Sequence, residues 1–256
     1  MAILVVAAES FELQPFAASL ENLRKLKWPL DYAFEGVRAG VRMILVANGA
    51  GPKLAAKAVD IAFRAVTVSG LSASKIDAVL SVGLCGALAP NLEVNGIVVG
   101  SQVVDPAQNR TFSCAEIVSS LPFVRGIVLS QDRIANTAEE KQQLESHNAV
   151  AVEMEAAGVA AKVEKAGLPF ACIKVVSDNA GESFPFDLNE MRTIEGRIAR
   201  GKIGLYVLTH PTLLPKLLEL KRRSGCAART LGDFLVSCTI SSEAGEAFNS
   251  GESADA

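Results

Sequence analysis

Apolar runs and helical patterns alternate along the chain. "AILVVAA" (2–8) is a continuous apolar run and predicts a strand buried on both faces. Residues 12–25 follow with helical spacing. "VRMILVAN" (41–48) predicts a second strand, and after Gly49 and Gly51 an Ala-rich helix extends to about residue 67. Further strands are expected at "DAVLSVG" (77–83), "GIVVGSQVV" (96–104) and "GIVLS" (126–130). "NAVAVEMEAAGVAAKVEKAG" (148–167) passes from strand to helix near residue 153, and "PFACIKVVSD" (169–178) supplies the last clear strand. Val/Ile/Leu runs of this kind belong in a mostly parallel sheet covered on both faces. The expected fold class is therefore α/β, a three-layer αβα arrangement around a mixed, mostly parallel central sheet. After Pro185 the pattern turns helical, with segments at 187–208 and 211–223 divided at His210–Pro211, and a third at 226–238. Residues 1–240 read as one domain with 187–238 as an extended helical C-terminus. "SSEAGEAFNSGESADA" (241–256) lacks core-forming residues and reads as a disordered tail.

Composition narrows the function. Half of the 256 residues are hydrophobic, enough for a sizeable core. The formal net charge of −3 offers no basic field for nucleic acid. No apolar run approaches the ~20 residues of a membrane span. "MAILVVAAESFEL" lacks a basic leader and ends in acids, so it reads as a first strand, not a signal peptide. Five cysteines without CxxC spacing and only two histidines, His147 and His210, argue against a disulfide framework or a metal centre. The cysteines suit a reducing compartment, and the expected location is cytoplasmic.

Candidate chemistry lies where strands end. "SVGLCGALAP" (81–90) follows a strand with Gly83 and Gly86, which let backbone N–H groups approach a ligand beyond the sheet or simply make a tight turn. "NGAGPKLAAKA" (48–58) is a glycine turn entering a helix. "AVEMEA" (151–156) sets Glu153 and Glu155 on either side of Met154 at the end of a buried strand. One acid there could serve the helix dipole. Two need partners, because desolvating carboxylates is costly, and the paired hydroxyls of a ribose would supply them. "VVSDNAG" (175–181) ends its strand with Ser177 and Asp178, either catalytic groups or a helix cap. Glu9 and Glu12 follow the first strand.

In order and spacing these segments resemble the nucleoside phosphorylase/nucleosidase family, from residue 1 to about 190. They are most similar to its 5'-methylthioadenosine/S-adenosylhomocysteine nucleosidase branch. "VEMEA" followed by a strand ending in "SD" is the most specific feature. The resemblance implies that Glu12 activates the attacking water, with Glu9 as the weaker candidate. It implies that Glu155 binds the ribose hydroxyls with Met154 against the sugar, and that Asp178 is the general acid toward N7 of the purine. Glu153, Ser177, Ser81 and Gly83 join the expected substrate-binding set. Lys174 stands where the family often has a basic residue that would bias Asp178. In "SQDRIAN" the backbone of Ile134–Ala135 should meet the base, and Phe186 should lie near the 5' substituent. No cofactor is implied. The implied partner is a small purine nucleoside, and the implied assembly is a homodimer or a higher homo-oligomer.

Two departures bear on the substrate. Ile134 stands where the family commonly has a stacking aromatic, and Leu84 where many relatives have a small hydroxyl residue. Phosphorolytic relatives usually carry an arginine before the glycine loop, where this chain has Ser81, and another in the first βα loop, where it has "AAESFEL". Acids would repel phosphate and could activate water, which favours hydrolysis. Arg38 and Arg42 leave phosphorolysis, with phosphate as co-substrate, as an alternative. The segment "LYVLTHPTLLPKLLELKRR" (205–223) also resembles the hopanoid-associated phosphorylase-like branch, which acts on adenosylhopane, a nucleoside with a lipid-like 5' group. A non-catalytic nucleoside-binding relative is the third alternative.

Overall fold

The computed structural model describes residues 1–68, 75–193, 197 and 199–241. The chain runs β1 (Ala2–Ala7), α1 (Ser10–Ala17), β2 (Glu21–Lys25), β3 (Tyr32–Arg38), β4 (Val41–Ala47), α2 (Pro52–Val68) and β5 (Ala78–Ala87). There follow β6 (Ile97–Asp105), β7 (Arg110–Ser113), β8 (Glu116–Ser119), β9 (Val124–Ser130), α3 (Ala138–Leu144) and β10 (Ala149–Glu153). The remainder is α4 (Ala156–Ala166), β11 (Phe170–Asp178), α5 (Arg200–Thr209), α6 (Leu214–Ser237) and β12 (Cys238–Ser241).

The central sheet has the order β10-β9-β6-β11-β5-β1-β4-β3-β2. β1, β4, β5 and β11 run parallel, as do β6, β9 and β10, while β6 meets β11 antiparallel. The end of β5 also pairs with β10, through Ala87–Ala151 and Gly86–Val152. That pairing rolls β5, β11, β6, β9 and β10 into a closed ring and brings the ends of β5, β10 and β11 together. Along β1 the side chains alternate. Leu4 and Val6 join the core under α2 and α4, and Ile3, Val5 and Ala7 join the core under α1 and α6. Apolar residues on both faces are what a sheet between two helical layers needs. α4 approaches α2 so closely that a Cβ at Gly158 would stand 2.1 Å from the Pro52 carbonyl oxygen.

The sheet and its two helical layers match the expected three-layer class. Several boundaries differ. The helix expected over 12–25 ends at Ala17, and β2 begins at Glu21. Pro15 lies inside α1 and denies the Phe11 carbonyl its i+4 donor, so the helix does not continue far. The hairpin strand β3 lacks a clear apolar signature because Glu35 and Gly36 interrupt it. Glu35 is buried and paired with Arg24 and Arg42. The helix expected from 187 starts only at Arg200. Asp187 and Asn189 instead form a side-chain turn, with Asp187 Oδ1 accepting the Asn189 N–H at 2.8 Å. The segments 211–223 and 226–238 are largely one helix, α6, which accommodates Gly225. The expected tail lies, beyond Ser241, outside the described residues.

Candidate active site

Where β5, β10 and β11 end, α1 and α6 enclose a cavity of about 350 Å³. Glu12, Glu153, Met154, Glu155, Ser177 and Asp178 all line it, as do Glu9, Leu84, Ile134 and Ala135. Four separate segments thus deliver the expected residues to one place.

Glu12 sits in the first turn of α1. Its carboxylate reaches back to accept the Glu9 N–H at 2.7 Å, a capping-box contact, and also accepts the Leu84 N–H at 2.9 Å. Gly83, at φ +134°, makes this approach possible, because a Cβ there would stand 2.7 Å from Glu12 Oε1. Burial pushes the Glu12 carboxyl above its ordinary value, and the two N–H donors and Lys174 only partly oppose it.

Glu153 and Glu155 divide their work. Glu153 accepts the N–H groups of Glu155 and Ala156, which open α4, and lies 2.7 Å from Lys174 Nζ. Burial opposes its charge, but the ammonium and these donors outweigh burial and hold its carboxyl below the usual range. The structure therefore places Glu153 in the scaffold, with its oxygens already taken. Glu155 accepts the Gly51 N–H through Oε1 at 3.0 Å and stands 3.6 Å from Lys174. Burial, with Glu153 and Glu12 nearby, pushes its carboxyl up to about 7 despite Lys174. Lys174 is fully buried, and the two glutamates hold its charge against that burial. It pairs with them, not with Asp178, which corrects the expectation for this residue.

Asp178 has a lysine of its own. Lys141 Nζ, on α3, lies 2.5 Å from Asp178 Oδ2, and the Ser177 hydroxyl lies 2.6 Å from Oδ1. Arg223, on α6, donates to the Ser177 carbonyl and makes two bonds to Glu182, which ties the C-terminal helix to this loop. Neither Lys141 nor Arg223 is signalled by a motif. The pattern Thr137-x-x-Glu140 does announce a capping box and hence α3, but not which way Lys141 turns.

Three expected residues stand outside the lining. Ser81 is wholly buried in β5 between β1 and β11, and its hydroxyl has no partner among the described residues. Gly83 acts on Glu12 and not on the cavity. The Phe186 ring turns away to pack against Tyr206 at 5.3 Å, while its carbonyl accepts from Asn136. The Ile134 backbone is also engaged. Asn189 accepts its N–H at 2.8 Å and donates to its carbonyl at 3.0 Å, leaving Ala135 as the backbone next to the cavity. Arg38 donates to the Val236 carbonyl and Arg42 to Glu35, and neither lines the cavity. Apolar walls that the motifs do not reveal come from Phe11, Leu188, Met191, Leu217 and Leu220.

Comparison with known proteins gives this geometry a context. A sequence profile of the phosphorylase superfamily matches residues 2–118 and 107–200. A 5'-methylthioadenosine/S-adenosylhomocysteine nucleosidase of Chromohalobacter salexigens is 27% identical over 208 residues, spanning 70% of this chain and 85% of that protein. The nucleosidase of that name from Lysinibacillus sphaericus is 26% identical over 225 residues, spanning 77% and 94%. Among solved structures, the S. pneumoniae nucleosidase with a transition-state inhibitor superposes with a TM-score of 0.65 at 20% identity, covering 92% of this chain and 100% of that one. Futalosine hydrolase of Helicobacter pylori superposes with a TM-score of 0.63 at 20% identity, covering 92% and 95%. No helix among the described residues is long and apolar enough to cross a membrane.

Proposed function

The chain belongs to the phosphorylase superfamily, and from that premise we propose that it is an N-ribosyl hydrolase. Its substrates are 5'-modified adenosines such as methylthioadenosine or S-adenosylhomocysteine. One observation carries this reading: Glu12, Glu155 and Asp178, which come from three distant segments, share a single cavity.

Glu12 takes a proton from water, and the hydroxide attacks C1' of the ribose. Glu155 accepts hydrogen bonds from the sugar hydroxyls, with Met154 against the ring. Asp178 delivers a proton to N7, so the purine leaves without a full negative charge. Proton transfer of this kind is worth about 10²–10⁴ in rate, or ~3–5.5 kcal/mol of barrier. The division of labour between two carboxylates follows that of glycoside hydrolysis. The Ala135 backbone reads the base. The 5' group lies among Phe11, Met191, Leu217 and Leu220, whose apolar surface suits a thioether. No metal or organic cofactor enters the scheme.

Water is favoured over phosphate by charge. Five acids line the cavity, and Arg133, the one cation among its described lining residues, is paired with Glu140. Lys174 and Lys141 already offset Glu153 and Asp178, and Arg133 is engaged by Glu140, so the described lining offers a phosphate dianion no ready cation. The same reading has the protein act as a homo-oligomer in the cytoplasm. The test is adenine release from methylthioadenosine with and without phosphate. Turnover in phosphate-free buffer supports hydrolysis, and a strict need for phosphate replaces it with phosphorolysis. Adenine binding without any cleavage identifies a binding protein.

A further inference from the structure

Asp178 is held on both oxygens, and one of its partners is a lysine that the scheme above leaves idle. Lys141 is only 1% exposed. Its Nζ lies 2.5 Å from Asp178 Oδ2, 2.6 Å from the Asn179 carbonyl and 3.0 Å from the Glu182 carbonyl. An ammonium has three N–H donors, and these acceptors take all three. The Glu182 carboxylate is bound twice by Arg223, at 2.6 and 2.8 Å, so the carboxylate that faces Lys141 is that of Asp178. A buried ion pair is a poor way to add stability, since an apolar pair of similar volume often does as well. This pair stands on the wall of the cavity, at the acid that would meet the base.

We propose that Lys141 acts through Asp178 as the source of the proton that the departing purine takes up. The proposal rests on the nucleosidase reading and adds the origin of the proton to it. As the C1'–N9 bond breaks, its electron pair moves into the purine. A proton leaves Lys141 Nζ, whose electron pair stays on nitrogen, and passes by way of Asp178 Oδ2 to N7. The attacking water gives its hydroxide to C1' and its proton to Glu12. Solvent then returns a proton to Lys141 and removes the one on Glu12 after the products leave. Ser177 keeps Oδ1 fixed during the exchange through its 2.6 Å contact. Lys141 is thus a positioning residue for Asp178 and its proton reservoir.

A leaving group that needs no proton separates this role from a structural one. The test compares an adenine nucleoside with its N7-methylated counterpart carrying the same 5' group, on wild type, Lys141→Met, Asp178→Asn and the double variant. Each variant should lose about 100-fold or more on the adenine nucleoside. The double variant should fall no more than about threefold below the worse single one, because the two groups act as a unit. All three should lose at least about tenfold less on the methylated nucleoside than on the adenine nucleoside, because its leaving group needs no proton. Equal loss on both nucleosides, a double variant whose losses multiply, or normal Lys141→Met activity on the adenine nucleoside would each overturn the proposal. If Lys141→Met alone does not fold, the double variant, which buries no unpaired charge, decides by the ratio of its two losses. Wild-type protein that cleaves neither nucleoside removes the nucleosidase reading itself, an outcome distinct from all of these.

Discussion

Lys174 and Lys141 are both buried lysines paired with carboxylates at one cavity, yet they meet different partners. Lys174 neutralises Glu153 and approaches Glu155, the acid proposed to hold the sugar. Glu153 spends its remaining hydrogen bonds on the N-terminus of α4, so this pair is anchored in the scaffold. Lys141 pairs with Asp178, the acid proposed to meet the base. The lesson is that burial and pairing alone do not mark a working charge. What separates the two is the second partner: backbone N–H groups that open α4 bind Glu153, whereas the Ser177 hydroxyl binds Asp178.

The largest effects should come from the carboxylates with free work to do. Asp178→Asn and Glu12→Gln should each lower kcat by about 10²–10⁴, with the fold intact by circular dichroism. A loss smaller than tenfold for either would remove that residue from the mechanism. The scaffold pair should respond in stability. Lys174→Met leaves Glu153 buried and unpaired, and should destabilise by about 3–5 kcal/mol in denaturant unfolding. Adding Glu153→Gln should recover much of that loss, and failure to recover would deny that the two form a structural unit.

A smaller effect is expected at Gly83. An alanine there would be strained at φ +134° and would displace Glu12 Oε1. The expected cost is about 1–3 kcal/mol of stability with a fall in kcat, whereas Gly40, in the β3–β4 turn with open space around it, tests strain alone. Loss of stability at Gly83 without loss of turnover would separate the glycine from Glu12. The gentlest probe is pH. The Glu155 carboxyl, pushed up to about 7, is protonated below that value and then accepts sugar hydroxyls poorly. KM should therefore rise about tenfold per unit as pH falls below 7, and Glu155→Gln should flatten the profile. An unchanged profile in that variant would assign the titration elsewhere.

Much of this was legible in the residues. Continuous apolar runs mark β1, β4, β5, β6, β9 and β11, because a sheet covered on both faces needs no polar alternation. The acids at 155 and 178 stand out because carboxylates at the ends of buried strands need a reason, whereas Glu12, in the first turn of α1, is singled out only by the family resemblance. The missing pieces depend on direction and distance. Nothing local says that Lys141, one of many lysines on helices, turns inward to Asp178. Lys174 sits four residues before Asp178 on β11, yet it reaches Glu153 on β10, on the far side of β5, a choice set by the β5–β10 closure. Asn189 lies in a segment that reads as helix, and its amide instead clamps Ile134 across the fold.

The central claim is that water, readied by Glu12, is the group that replaces the purine. The most direct measurement is turnover of methylthioadenosine in ¹⁸O-labelled water containing unlabelled phosphate. The account predicts free adenine and a reducing sugar with one ¹⁸O at C1, at a rate independent of phosphate. A sugar 1-phosphate without label would contradict it.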